Sequence, residues 1–176
     1  WDGRRQSEMD PLRQGKIMIR TYAVAAGAVA MCLSGCIAMD VQDVQMTTSP
    51  EITHYAGVTK AGTDLPFSKA VRVGDMIYLS GELGIDPETN ELAPGGAGPE
   101  TSMIFRNITR TLAEFDADLS DVVKCSVFLG DMASYGEMNA AYDAALPDPK
   151  PARSTLGANG LALGAAVEVE CFAVAP

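Results

Sequence analysis

The order in which the hydrophobic period changes along residues 70–174 constrains this chain more than any other feature. Ala70 to Leu79 alternates around Val71, Val73, Ile77 and Leu79, with Gly74-Asp75 as a turn, which predicts two short strands. Ser80-Gly81-Glu82 ends the second. Asp86-Pro87-Glu88-Thr89-Asn90 is turn chemistry, and Pro94-Gly95-Gly96-Ala97-Gly98-Pro99 is a loop. Ile104, Ile108, Leu112 and Phe115 then recur at helical spacing and predict an amphipathic helix from Glu100 to Phe115. The β-branched run Val122 to Leu129 predicts a strand. Ala133 to Ala145 predicts a second helix with Tyr135, Met138, Asn139 and Tyr142 near one face, stopped by Pro147 and Pro149. Ala165 to Val174 is a last strand. Two strands, helix, strand, helix, strand make an α+β sandwich with both helices on one face of a single sheet. The other face, with Glu168, Glu170 and Phe172, needs a partner, and oligomerisation would bury it.

The N-terminal third differs in kind. Lys16 and Arg20 precede an uncharged run, Tyr22 to Leu33, that ends in Leu33-Ser34-Gly35-Cys36. A basic start, a short apolar stretch and small residues at its end predict a secretory signal over residues 18–35. The run is short for a membrane-spanning helix. Its last four residues resemble a bacterial lipobox, so Cys36 is the expected lipid-bearing residue; an ordinary cleaved signal or a buried helix is the alternative. Ile37 rather than Asp follows, which predicts outer-membrane sorting on the periplasmic side. Residues 1–17 start at Trp1 and are read as lying upstream of the protein proper. Residues 36–54 show neither period and read as a tether, leaving residues 55–176 as the domain.

Charge limits the function classes. The chain carries 13 Lys and Arg against 23 Asp and Glu, a net −10. Residues 1–35 hold five of the former and three of the latter, so the remainder carries 8 against 20, or −12. Nucleic acid is therefore not an expected partner, because phosphate binding needs a basic surface. A small anion is compatible with this, since one well-placed Arg can hold a carboxylate. The single histidine, His54, lies near the tether, so His-dependent catalysis and His-rich metal binding are not expected. Cys125 and Cys171 fall in the strand-like runs and are read as two buried thiols, with a bridge as the alternative in an exported protein.

Several segments together resemble the Rid family (reactive intermediate deaminases, also called YjgF). They are Leu65-Pro66-Phe67-Ser68-Lys69-Ala70-Val71, Gly74 to Gly81, Gly84-Ile85-Asp86-Pro87-Glu88-Thr89, Asn107, Val122-Val123-Lys124, Asn139-Ala140-Ala141-Tyr142, Pro151-Ala152-Arg153-Ser154-Thr155 and Val167-Glu168-Val169-Glu170. Each motif is short; their order and spacing carry the resemblance. It implies a chorismate-mutase-like fold and a homotrimer with clefts between subunits. It also implies hydrolysis of 2-imino or enamino acids to 2-oxo acids and ammonia, without metal or organic cofactor. The family includes members without this activity, so a non-catalytic trimer that binds carboxylate ligands or partners is the alternative.

The resemblance places Arg153 and Glu168 in catalysis. A guanidinium can grip both oxygens of the carboxylate beside the C=N carbon; the plainer alternative is an Arg paired with one of the many acids. A carboxylate at Glu168 can activate water and pass the proton to the departing nitrogen, or it is a strand Glu at a wet boundary. Glu170 points the same way by alternation and is read as structural. Ser80, Gly81 and Thr155 line the implied cleft, where the Thr155 backbone carbonyl would hold the substrate nitrogen or water. Asn139 and Tyr142 either shape the cleft or pack the second helix. With no suitable His base, covalent Ser or Thr catalysis is not expected. Two positions depart from the family: Phe67 stands where Tyr is frequent, and Glu82 where Gln is frequent, adding an acid near the implied cleft.

Overall fold

The computed structural model describes residues 49–58 and 64–175. Cys36, the signal and most of the tether lie outside the described residues. Among those described, no helix is long and apolar enough to cross a membrane.

Among the described residues, seven strands form one sheet. They are β1 (Ile52–Val58), β2 (Asp64–Val73), β3 (Met76–Leu79), β4 (Glu82–Leu83), β5 (Val122–Leu129), β6 (Ala152–Gly157) and β7 (Val167–Val174). Their order is β1-β2-β3-β7-β5-β6, with β4 also paired to β7. All pairs are antiparallel except β5 with β6. Both helices, α1 (Ala97–Ala113) and α2 (Tyr135–Ala145), cover the same face. The fold is thus the α+β arrangement predicted from the periods.

Alternation decides which strand residues meet the helices. In β7, Val167, Val169, Cys171 and Ala173 are buried, while Glu168, Glu170 and Phe172 between them are only partly so. The buried set packs with Ile77 and Leu79 of β3, Val127 and Leu129 of β5, and Ile104, Phe105, Ile108 and Leu112 of α1. Phe105 meets Tyr142 of α2 edge-on at 5.2 Å between ring centres, joining the two helices. Burying side chains of this size is worth about 1.5–3 kcal/mol each, and that drives the helical cover onto one face only. The other face keeps Tyr78 at 43% and Leu156 at 54% exposed.

Four differences from the predicted elements have local causes. The first strand begins at Ile52, inside the stretch read as tether, because Ile52, Thr53, His54 and Tyr55 pair with Val73, Arg72, Val71 and Ala70. An edge strand exposed at Ile52 carries little period of its own. Helix α1 starts three residues early, at Ala97. Pro99 fits its first turn, where the missing N–H has no partner to lose. It closes before Phe115, where Asp116 turns left-handed (φ 56°) and the Ala117 N–H donates to the Leu112 carbonyl at 3.1 Å. Residues 132–134 form a separate 3-10 turn before α2.

The fourth difference is a disulfide. Cys125 and Cys171 are directly opposed across β5 and β7 and are bonded to each other. The expectation of two buried thiols is corrected. Both residues are apolar-looking in their strands, and only the antiparallel register makes them neighbours.

Candidate active site

Arg153 lies in strand β6, which no period in the sequence marks. Strand β6 has almost no buried face and exists through pairing with β5, which sets Arg153 beside Cys125 and Thr155 beside Val127. Those partners face the helices, so Arg153 and Thr155 do too. Opposite them, Tyr135, Asn139 and Tyr142 stand at i, i+4 and i+7 along one face of α2. That helix is entered through Asp131, whose carboxylate accepts the Ala133 N–H at 2.9 Å.

The three residues fix the guanidinium. Arg153 Nη2 donates to Asn139 Oδ1 at 2.8 Å and to Tyr135 Oη at 2.9 Å. Its Cζ sits 4.5 Å from the Tyr142 ring centre, within cation–π range. No carboxylate among the described residues pairs with Arg153, which disfavours the plainer ion-pair alternative. Tyr142 enters the core with Met138, and Asn139 and Tyr142 line a cleft of about 350 Å³ with Arg153, Lys150 and Asp143. Lys150 is spent elsewhere, donating to the Asp143 and Leu146 carbonyls at 2.7 Å each and pairing with the Asp143 carboxylate at 3.2 Å.

Two buried hydroxyls, Tyr142 Oη and Thr155 Oγ1, make no hydrogen bond within the protein. Burial pushes the Tyr142 phenol above its ordinary pKa, with the Arg153 charge pulling the other way, so the phenol keeps its proton.

Glu168 belongs to a second cluster. Lying between the buried Val167 and Val169, it projects from the face of the sheet without helices. Its carboxylate lies against Gly81, where an added Cβ would push the carboxylate aside. Ser80 Oγ donates to the Ser68 carbonyl at 2.7 Å, and Phe67, next to Ser68, is 52% exposed. Ser80, Gly81 and Glu168 thus lie toward the side of the sheet without helices, and Arg153, Thr155, Asn139 and Tyr142 on the other. One chain does not bring its two proposed catalytic residues together.

Glu82 is not an added acid beside Glu168. It stands opposite Val169 in the β4–β7 pair and so faces the helices. Its carboxylate lies 3.2 Å from Lys69 Nζ with its side chain only 13% exposed. Burial raises its pKa, and Lys69 and then Asn107 oppose that. Asn107 also donates to the Ile85 carbonyl at 2.9 Å, tying α1 to the segment after β4. This departure from the family pattern thus sits between Lys69 and α1.

Among the described residues, no group of three or more His, Cys, Asp and Glu side chains converges as a metal site would require.

With this geometry in hand, comparison with known proteins is informative. The family model described as Endoribonuclease L-PSP matches residues 59–175. The chain belongs to the Rid/YjgF family. A mouse protein named 2-iminobutanoate/2-iminopropanoate deaminase is 37% identical over 124 residues, covering 70% of this chain and 92% of that one. The chloroplastic Reactive Intermediate Deaminase A of Arabidopsis thaliana is 36% identical over 108 residues, 61% of this chain and 58% of that longer protein. The crystal structure of RidA from an Antarctic Psychrobacter superposes with a TM-score of 0.61 at 33% identity, covering 72% of this chain and 98% of that one.

In this Rid-family chain the residue missed by sequence reasoning is Tyr135. Its place near the face of Asn139 and Tyr142 was legible, but β6 had to be a strand before that face had an Arg to meet.

Proposed function

We propose that this protein hydrolyses small 2-imino or enamino acids to 2-oxo acids and ammonia. The observation that carries the reading is Arg153, held by Asn139, Tyr135 and Tyr142 without a neutralising carboxylate among the described residues. That is an anion receptor of the size a 2-imino acid needs. The names and identities of the mouse and plant relatives support the same reaction.

The chemistry assigns each group a step. Arg153 takes the substrate carboxylate and thereby places the adjacent C=N carbon. Glu168 accepts a proton from a water as that water adds to the carbon and passes it to the imine nitrogen, giving a carbinolamine; a second transfer, from the new hydroxyl to the nitrogen, accompanies C–N cleavage and releases ammonia and the 2-oxo acid. RNA cleavage, which the description of the family model suggests, is disfavoured by the net charge of −10.

Because Arg153 and Glu168 project from opposite faces of the sheet, the proposed cleft combines two copies of the chain. Arg153 would work with Phe67 and Glu168 of the partner subunit. The uncovered face, with Tyr78 and Leu156 exposed, supplies apolar area for a homotrimer. Multi-angle light scattering at micromolar concentration should give three times the chain mass. A stable monomer that still turns over substrate would eliminate the shared cleft.

The site of action is proposed to be the bacterial envelope, through lipid on Cys36. Charge and small-residue spacing around the signal support it, as does the Cys125–Cys171 bond, since disulfides persist mainly outside the reducing cytosol. Mass spectrometry of the membrane fraction should find a modified N-terminal Cys36. An unmodified soluble form would exclude the anchor.

A further inference from the structure

Arg153 does not present an open fork. Both two-pronged edges of a guanidinium include Nη2, and here Nη2 already carries two acceptors for its two protons, Asn139 Oδ1 and Tyr135 Oη. The remaining protons sit on Nε and Nη1, on different edges. A carboxylate that leaves this arrangement intact takes a single N–H from Arg153 and finds its second donor elsewhere.

We infer that Tyr135 is that second donor: a ligand-contacting, specificity-determining residue of the Arg153 site. Its hydroxyl oxygen accepts from Nη2 at 2.9 Å, which leaves its own proton to donate. Accepting from a cation makes that proton a stronger donor. Tyr135 is the first residue of α2 and 40% exposed, so the hydroxyl is reachable from outside, unlike the buried Tyr142. One carboxylate oxygen then binds the guanidinium and the other the phenol, a Tyr–Arg pair in place of a two-pronged Arg. Such a pair selects a carboxylate strongly over a neutral amide, whose NH₂ cannot accept the phenol proton.

This inference rests on the imine-hydrolase reading above, and the test separates the two. The full chain is compared with Tyr135→Phe and Arg153→Ala. Affinity is measured by calorimetry for 2-oxobutanoate, a stable carbonyl analogue of the imine, and for 2-oxobutanamide. Turnover is measured on freshly generated 2-iminobutanoate. Tyr135→Phe should weaken 2-oxobutanoate about 3- to 10-fold, as expected for one lost hydrogen bond. It should raise KM by the same factor with kcat little changed, because the contact is made equally in substrate and transition state. Affinity for the amide should not change. Unchanged 2-oxobutanoate binding, or a fall in kcat with KM preserved, overturns the inference; the latter makes Tyr135 only a support for the guanidinium. Arg153→Ala should lose 2-oxobutanoate binding. If it binds like the unmutated chain, the hydrolase reading itself fails, whatever Tyr135 does.

Discussion

Arg153→Ala is expected to lower kcat/KM for 2-iminobutanoate by about 100-fold or more while the assembly stays intact. A hydrogen bond to a charged group is worth about 1.5–3 kcal/mol, and each 1.36 kcal/mol is a factor of ten in rate. Misplacing the reacting carbon adds to that loss. The fold should tolerate the change, because Arg153 lies on an edge strand and contacts α2 through its tip rather than through core atoms. Arg153→Lys should recover only part of the activity. An ammonium cannot keep Asn139 and Tyr135 on one planar nitrogen while offering another to the ligand. Glu168→Gln should retain 2-oxobutanoate binding and slow the water step by about 10²- to 10⁴-fold. Ammonia release and ligand affinity for all three variants give the answer. Full turnover in Arg153→Ala ends the mechanism. No turnover in the unmutated chain, with ligand binding that disappears in Arg153→Ala, instead identifies a binding protein.

Reduction of the Cys125–Cys171 bond is expected to cost about 2–4 kcal/mol of stability. The bond closes a loop of 46 residues in sequence separation, and loop closure of that length constrains the unfolded chain by about this amount. For a domain of this size the midpoint of thermal unfolding should fall by roughly 5–15 °C. The Cys125→Ala, Cys171→Ala double variant should match the reduced protein, since both sites are apolar and fully enclosed. Thermal unfolding with and without reductant measures the shift. A midpoint unmoved by reductant that reaches both thiols would remove the bond from the stability account. The bond also joins β7 to the strand that carries β6, so Arg153 turnover should become more heat-sensitive in the reduced form.

Legibility varied with how local each signal was. Helix α1 and strands β3, β5 and β7 carry their own hydrophobic period, because each buries one face against a common core. Strands β1 and β6 do not. They are edge strands whose hydrogen bonds, not their side chains, hold them, so residues 52–54 passed for tether and β6 was not among the expected strands. Both stretches are read correctly only once their partners are known. The disulfide stood only as the alternative for the same reason, since the opposition of Cys125 and Cys171 is a fact of register between strands 46 residues apart.

From its residues alone this chain determined the one-sided helical cover and the Rid family, and it singled out Arg153 and Glu168 as the pair proposed to carry the chemistry. These follow from periodicity and from short motifs in order, which depend on neighbours a few residues away. Tertiary structure decided what those residues face. Strand alternation turned Glu168 away from the helices and Arg153 toward them, so the two sit on opposite sides of the sheet in one chain. It also turned Glu82 inward to Lys69 and set Tyr135 against the guanidinium. Direction across a sheet depends on register with partners distant in sequence, and a single residue of slip would reverse every one of these assignments.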